Sequence, residues 1–324
     1  LPNTMVTSTL TAKAMKMNTH MTTFKKLLLT ESLVVLFTLA AYTLFGQQHP
    51  SLDNYLYTPV AVSPAHAGMQ DQHVVSIVDA QWVGLKGAPR TGMISMDYHN
   101  LRGLGLNLTL INDQIGPAVT QHAAVSGAYH LQVSDNAKLS TGLRVTVGRT
   151  AVDLIDETYY DLVDPNIYDL QGPLMANVDI GSTFNTPTYY AGISFKNVNR
   201  AEIYDNNYTA QVLQVFGGHR LPLQGQWSLR SSFLASAATN SPADVNFHAF
   251  VEHQEKWGLG AHYSPADEMG LLLRLNPSRD WHVFYQYNYP LTDLVYLTKR
   301  SHVIGLSFNV APRIDSFTSP RLFL

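Results

Sequence analysis

The sequence predicts an all-β fold, a transmembrane antiparallel β-barrel of about 14 strands that follows a proline-containing N-terminal segment. Three observations lead to this prediction: strand-length segments of alternating apolar and polar residues, a low content of charge, and an apolar run near the N-terminus. In the clearest segment, residues 123–133, Val125, Tyr129 and Leu131 share one face and His130 lies on the other. A strand of that length, tilted by about 45°, matches the hydrocarbon thickness of a bilayer.

Fourteen such segments occur in series between residues 74 and 310, which we take as the barrel. The predicted strands are residues 74–81, 92–98, 103–111, 120–133, 138–147, 177–184, 188–196, 209–216, 226–235, 244–252, 256–263, 268–275, 281–289 and 301–310. Some connections are tight, as at 134–137, whereas those at 148–176, 197–208 and 290–300 are long and polar. Outer-membrane barrels combine short periplasmic turns with longer outer loops, so the pattern predicts the cell outer membrane, with its lipid as a partner.

The composition favours a membrane barrel over a soluble β-sandwich, which is the alternative fold. Charged residues make up only 14% of the chain, compared with roughly 25% in a soluble domain. The non-apolar strand faces carry mainly Gly, Ser, Thr and Asn, which is typical of a polar lumen. A net charge of −3 offers no basic surface for nucleic acid, and the absence of cysteine excludes disulfide and thiol chemistry.

The N-terminus predicts a secretory signal peptide that is cleaved near Gly46. Residues 21–46 have the form of a signal peptide, in which Lys25 and Lys26 precede the apolar run 32–45 and a small residue, Gly46. The alternative is an uncleaved N-terminal anchor. Residues 1–20 precede a better start at Met21, and we expect them to be an upstream extension that is not native.

Two further segments flank the predicted barrel. Residues 47–73 contain Pro50, Pro59 and Pro64, which oppose regular strand pairing, so we predict a plug-like or periplasmic segment there. Residues 311–324 form a tail beyond the last strand. Glycines recur inside the strands, for example Gly105, and we interpret them mainly as sites of sheet curvature and packing, with contact to a bound segment as the alternative.

No pattern in the chain predicts catalysis, a metal or a cofactor. The thirteen histidines are scattered, without zinc-type spacing beside carboxylates. Asp153, Asp156 and Glu157 begin an acidic loop that does not match an EF-hand, so a solvated outer loop is favoured over a calcium site. We therefore predict a protein that is not an enzyme, and an outer-membrane hydrolase is the least favoured function.

A set of motifs gives the chain a family resemblance. Residues 63–68, Ser-Pro-Ala-His-Ala-Gly, resemble Asn-Pro-Ala-Tyr-Ala-Gly, and residues 81–91, Gln-Trp-Val-Gly-Leu-Lys-Gly-Ala-Pro-Arg-Thr, resemble Gln-Trp-x-Gly…Gly-Ala-Pro-x-Thr. In order and spacing they resemble the PorP/SprF outer-membrane proteins of the type IX secretion system of Bacteroidota. His66 and Ser63 depart from the family's tyrosine and asparagine, and Ala80 from its arginine. The motif residues, predicted to be structural or partner-facing, are Pro64, Ala65, Gly68, Gln81, Trp82, Gly84, Gly87, Ala88, Pro89, Thr91, Gly116, Trp257, Gly260, Ser301 and His302.

The resemblance implies a non-enzymatic component that supports export or surface attachment of large adhesins, including those for gliding motility. The implied partners are a secreted adhesin or other type IX secretion components. The alternative function is an outer-membrane pore for small solutes, since about fourteen strands enclose enough space for one.

Overall fold

The computed structural model describes residues 55–69, 73–99, 103–152, 170–204, 207–239, 241–265, 267–296, 298 and 300–310. The predicted upstream extension 1–20, the predicted signal peptide 21–46, residues 47–54 and the predicted tail 311–324 lie outside the described residues. The acidic loop predicted around Asp153 also lies outside them.

Seventeen strands and four short helical elements occur in the described part of the chain. The strands are β1 (His73–Ala80), β2 (Arg90–His99), β3 (Leu104–Ile115), β4 (Ala118–Ser134), β5 (Ala137–Val152), β6 (Leu170–Gln171), β7 (Met175–Asn185), β8 (Tyr189–Lys196), β9 (Glu202–Tyr204), β10 (Asn207–Tyr208), β11 (Val212–Pro222), β12 (Trp227–Ala238), β13 (Asp244–His253), β14 (Trp257–Tyr263), β15 (Glu268–Leu275), β16 (Trp281–Pro290) and β17 (Ser301–Asn309). The helix α1 (Pro59–Val62) and the 3-10 turns Pro64–His66, Gln224–Gln226 and Asp293–Tyr296 complete the list.

Fourteen of the strands form a closed antiparallel barrel, which confirms the predicted fold class. The ring closes where β1 pairs with β17, in a register that joins His73 to Asn309 and Ala80 to His302. Closure pairs the two strands that would otherwise expose free backbone groups to lipid. The other strands are short additions: β6 pairs with the last two residues of β5, and β9 pairs with β10 in a separate hairpin.

The alternation predicted from the sequence separates a lipid face from a lumen face. On β4, Val125 and Tyr129 are 58% and 53% exposed on the outside, whereas Ser126 and His130 are buried on the inside. Near one end of the barrel, exposed aromatic side chains form a girdle of the kind found at membrane interfaces. Its members are Tyr98, Tyr129, Tyr189, Trp257 and Trp281.

Several bounds differ from the prediction, and the main differences lie at β11, at β5 and in the predicted loop 197–208. The strand predicted at 209–216 is β11, which begins at Val212 and continues to Pro222 because Gly217 and Gly218 leave space for the rings of Phe233 and Tyr190. Strand β5 extends to Val152, inside the predicted loop 148–176. The predicted loop 197–208 contains the β9–β10 hairpin.

The two ends of the barrel differ in the length of their connections. The end where β1 begins and β17 ends has only short turns, such as 135–136 between β4 and β5. The opposite end carries the 153–174 and 291–300 connections. By the usual rule for bacterial barrels, we infer that the first end is periplasmic and the second is outer. Among the described residues, no helix has the length and apolar character to cross a membrane.

A matched pair of substitutions on β4 tests this placement in the bilayer. Val125→Arg places a charge on the lipid face near the middle of the strand and is expected to destabilise the barrel by about 2–4 kcal/mol. Val133→Arg makes the same change on the same face, beside the periplasmic turn, with an expected cost of about 0–1 kcal/mol. Reversible unfolding in lipid vesicles measures both, and equal costs would contradict the assignment of this face to lipid.

Candidate functional site

The chain places its own residues 55–68 inside the barrel lumen, and we name them the lumenal segment. All side chains from Tyr55 to Ala67 are buried. They contact strands on opposite sides of the ring, from β2 and β3 to β13 and β16. All of these contacts lie within a few residues of the periplasmic strand ends. The lumenal segment therefore crosses the lumen from one side of the ring to the other.

Prolines set the local shape of the lumenal segment. Pro59 begins α1 and Pro64 begins a 3-10 turn, positions at which the missing N–H and the fixed φ of proline are favourable. The Ser63 hydroxyl caps the second turn by accepting from the Ala65 N–H at 3.3 Å. Gly68 follows with a φ of 68°, a conformation that other residues rarely adopt. The motif at 63–68 is thus a compact double turn.

Polar side chains of the wall satisfy carbonyl groups in the middle of the lumenal segment. Arg144 Nη1 donates to the Val60 carbonyl at 2.8 Å, and the Ser194 hydroxyl donates to the Val62 carbonyl at 2.8 Å. Arg144 is itself paired with Asp179, with 2.6 Å between Nε and Oδ2. Removal of one partner from a buried pair of this kind costs about 3–5 kcal/mol. These bonds hold α1 against β5, β7 and β8.

The end of the lumenal segment is held in the same way. The Gly68 N–H donates to Asp97 Oδ1 at 2.8 Å, and His130 Nε2 lies 2.9 Å from the Ala67 carbonyl. Since a carbonyl only accepts, the His130 ring donates there. His130 Nδ1 then lies 2.8 Å from the Ser140 hydroxyl. Strands β2, β4 and β5 therefore fix the point where the chain leaves the lumen.

Three wall glycines make room for the lumenal segment. A Cβ added at any of them would overlap atoms of the segment, in the pairs Gly105 with Ala67, Gly142 with Pro64 and Gly181 with Ser63. The main interpretation of the strand glycines, sheet curvature and packing, is wrong for these three, and the alternative, contact with a bound segment, is confirmed. Atoms of residues 63–67 lie against them and leave no space for a side chain.

Two tyrosines anchor the other end of the lumenal segment. The Tyr57 ring stacks on Phe284 with a centroid distance of 3.5 Å and an interplanar angle of 5°. The Tyr55 hydroxyl lies 3.0 Å from the Ser232 hydroxyl and 3.1 Å from His248 Nδ1. Aromatic rings bury a large area with little loss of conformational entropy, so this end depends on packing as much as on hydrogen bonds.

His66, the residue that replaces the family tyrosine, is buried and neutral. Its Nδ1 lies 3.0 Å from the Pro59 carbonyl and must donate to it, so Nε2 is left to face the Thr183 hydroxyl at 3.4 Å. Burial lowers the pKa of His66 from 6.5 to about 3. The docked segment therefore excludes the imidazolium form at any physiological pH.

A second group of motif residues meets at the outer end, and we name it the rim joint: residues 81–91 with Gly116, Arg300 and Ser301. The Trp82 N–H donates to the Ser301 hydroxyl at 3.1 Å, and the Gly116 N–H donates to the Gly87 carbonyl at 2.9 Å. The β1–β2 connection is thereby bonded to the connections on both sides of it.

The backbone of the rim joint explains part of its motif. Gly84, Gly87 and Gly116 have φ values of 105°, 73° and 57°, so glycine is the residue these turns require. Trp82 has a φ of 46°, which is a strained conformation for a bulky residue. Strain of this kind is retained where the surrounding structure holds it, here through the bond to Ser301.

The structure places the predicted motif residues in three groups. Those in the lumenal segment are Pro64, Ala65 and Gly68. Those at the outer end are Gln81, Trp82, Gly84, Gly87, Ala88, Pro89, Thr91, Gly116, Ser301 and His302. Trp257 and Gly260 are separate from both groups, on β14, where Trp257 packs edge-on against Trp227 at 5.4 Å and Gly260 faces the Phe250 ring.

The motif analysis missed the wall residues that hold the lumenal segment, chiefly Asp97, His130, Arg144 and Asp179. A weak signal existed, because Arg144 is the one charged residue in the interior of the predicted strand 138–147. Within the described ranges, no three His, Asp or Glu side chains are grouped so as to hold a metal ion.

Docking of the lumenal segment should depend on Gly105. Gly105→Ala places a methyl group on the Ala67 carbonyl, and overpacking of this kind costs about 1–3 kcal/mol, so we expect chymotrypsin to cleave after Tyr57 several-fold faster. Gly127→Ala is the control, because its Cβ would meet only Leu106 at 3.8 Å. Equal cleavage rates for the two variants would contradict the contact.

Docking should also weaken in acid. An undocked His66 titrates near 6.5 and the docked one at about 3, so the docked state loses stability as the pH falls below 6.5. At pH 5 this difference in pKa destabilises the docked state by about 2 kcal/mol relative to the undocked state. The undocked population, and with it the hydrogen exchange rate of residues 55–68 after correction for the intrinsic rate, should rise roughly thirtyfold. His66→Asn keeps a donor near the position of Nδ1 without a titrating ring and should remove the part of this dependence that His66 contributes. A wild-type exchange rate that does not change with pH would contradict it.

Comparisons with known proteins agree with this architecture. The sequence profile of the family described as "Type IX secretion system membrane protein PorP/SprF" matches residues 44–308. No curated protein sequence matches the chain. The toluene transporter TbuX of Ralstonia pickettii has a similar fold, with a TM-score of 0.52, 11% identity, and coverage of 77% of this chain and 92% of TbuX. Omp33 of Acinetobacter baumannii gives 0.45 at 8% identity, covering 74% of this chain and 96% of Omp33. The chain is an outer-membrane β-barrel and belongs to the PorP/SprF family of type IX secretion system membrane proteins.

Proposed function

We propose that the protein is a non-enzymatic component that supports export or surface attachment of large adhesins through its outer surface. Family membership supports a role in type IX secretion. The observation that carries the proposal is the lumenal segment: the chain's own residues cross the lumen and are bonded to many wall strands. A barrel closed in this way acts through its surfaces rather than as an open conduit.

We propose the rim joint as the partner-facing surface. It lies at the outer end, it joins three connections, and it holds Trp82 in a strained backbone conformation with its ring partly exposed. Trp is enriched at the centres of protein interfaces, because its large ring is desolvated there. A fixed tryptophan on a rigid loop suits recognition of a folded domain of a secreted adhesin.

Complementation of a gene deletion tests this role. Cells that lack the protein should lose surface adhesin, measured by antibody labelling of intact cells, and the wild-type gene should restore it. Trp82→Gly removes the ring and relieves the backbone, so the barrel should still assemble while adhesin display falls at least fivefold. Trp281→Ala, in the periplasmic girdle, is the matched loss of a tryptophan and should restore display. Full display in the deletion strain would refute the proposal.

A pore for small solutes is the second candidate. The observation in favour of a pore is the fold that the chain shares with TbuX, a protein described as a toluene transporter. Planar bilayers distinguish the two functions. If the lumenal segment closes the barrel, the wild-type protein should conduct little and Gly105→Ala should show openings, whereas steady conductance in the wild type would favour the pore.

A further inference from the structure

A buried charged cluster lies beside the tyrosine end of the lumenal segment. Arg230 Nη2 donates to Glu252 Oε2 at 2.7 Å, and Arg274 Nη1 lies 3.3 Å from Glu252 Oε1. All three side chains are less than 8% exposed. Two guanidinium groups face one carboxylate, so the cluster has one positive charge in excess. The nearby pair of Arg220 and Glu255 is neutral overall and does not change this balance.

Hydrogen-bond donors of this cluster lack acceptors. Arg230 Nε and Nη1 and the Tyr57 hydroxyl are buried and have no hydrogen-bond partner in the part of the chain that the structure describes. Buried donors are nearly always satisfied, because each unpaired one carries the cost of its lost hydration. Burial also raises the pKa of the Tyr57 phenol, so that it remains a neutral donor and does not supply the missing negative charge.

A small cavity brings these groups together. Its volume is about 20 Å³, and its lining includes Tyr57 of the lumenal segment and Arg230 and Arg274 of the wall. A space of this size accommodates one particle of about the size of a water molecule. Water would satisfy the donors but would leave the excess positive charge of the cluster uncompensated.

We propose that this cavity binds one small monovalent anion, a halide such as chloride, between the wall and the lumenal segment. The anion accepts from the guanidinium of Arg230 and the hydroxyl of Tyr57, and it balances the excess charge of the cluster. Because Tyr57 belongs to the lumenal segment and both arginines to the wall, bound halide holds the segment in place. The closed state of the barrel is thereby linked to halide concentration.

Anomalous diffraction from crystals of the full chain grown in sodium bromide tests the site directly. The proposal expects one bromide peak within hydrogen-bond distance of Arg230 and Tyr57. Density for water alone at this position, or bromide peaks only at other positions, overturns it. The result depends on the wild-type protein alone, so it does not require any variant to fold.

A solution measurement tests the link to docking. At equal ionic strength, cleavage by chymotrypsin after Tyr57 should be slower in chloride than in gluconate, an anion too large for the cavity. At a halide concentration ten times Kd the expected factor is about ten. Arg274→Gln removes the excess charge and should abolish the difference, whereas Arg220→Gln makes the same change at the exposed pair and should retain it. Equal rates in both salts for the wild type, or a retained difference in Arg274→Gln, overturn the proposal.

Discussion

The structure depends on the pairing of β1 with β17, because a sheet in lipid tolerates no unpaired edge. This pairing also places the first residue of β1 and the last residue of β17 at the same rim, which is the rim with short turns. A segment that directly precedes β1 therefore emerges at the periplasmic mouth of the lumen. From that position it either extends away from the barrel or turns into it, and the lumenal segment turns in.

Two kinds of wall residue allow the lumenal segment to pack against the barrel wall. Glycines at 105, 142 and 181 let the segment approach the wall closely, while side chains such as Arg144 and Asp97 form hydrogen bonds with its polar groups. The two are complementary, since an irregular backbone in a narrow space needs both room and hydrogen-bond partners. The cost of burying Arg144 is offset by Asp179 and by the carbonyl of Val60. The polar side chains of the lumen thus serve as hydrogen-bond partners for a buried peptide as well as for water.

Much of the fold could be predicted from the sequence, because alternation with a period of two is the direct consequence of a strand with lipid on one side. Strand β11 continues beyond the predicted strand 209–216, because Gly217 and Gly218 accommodate the rings of Phe233 and Tyr190, a packing that the sequence does not show. The function of Gly105 was misjudged for a related reason. The sequence alone does not distinguish a glycine that bends a sheet from a glycine that faces a second segment of backbone.

The motif residues could be predicted individually but not as groups. Trp82 and Ser301 are far apart along the chain and are joined only by closure of the ring. Arg144 and Asp97 belong to no motif, and only the position of the lumenal segment shows what they do.

The location of the lumenal segment also constrains the order of assembly. The pairing of β1 with β17 joins the first and last strands of the barrel, and contacts so distant along the chain form late, because the entropy of closing the intervening loop must be overcome first. The residues just before β1 are made before the strands of the barrel, and most of their wall partners, on β2 to β8, also precede the final strand. The lumenal segment can therefore act as a template on which the early strands curl, so that the finished barrel forms around a peptide already in place.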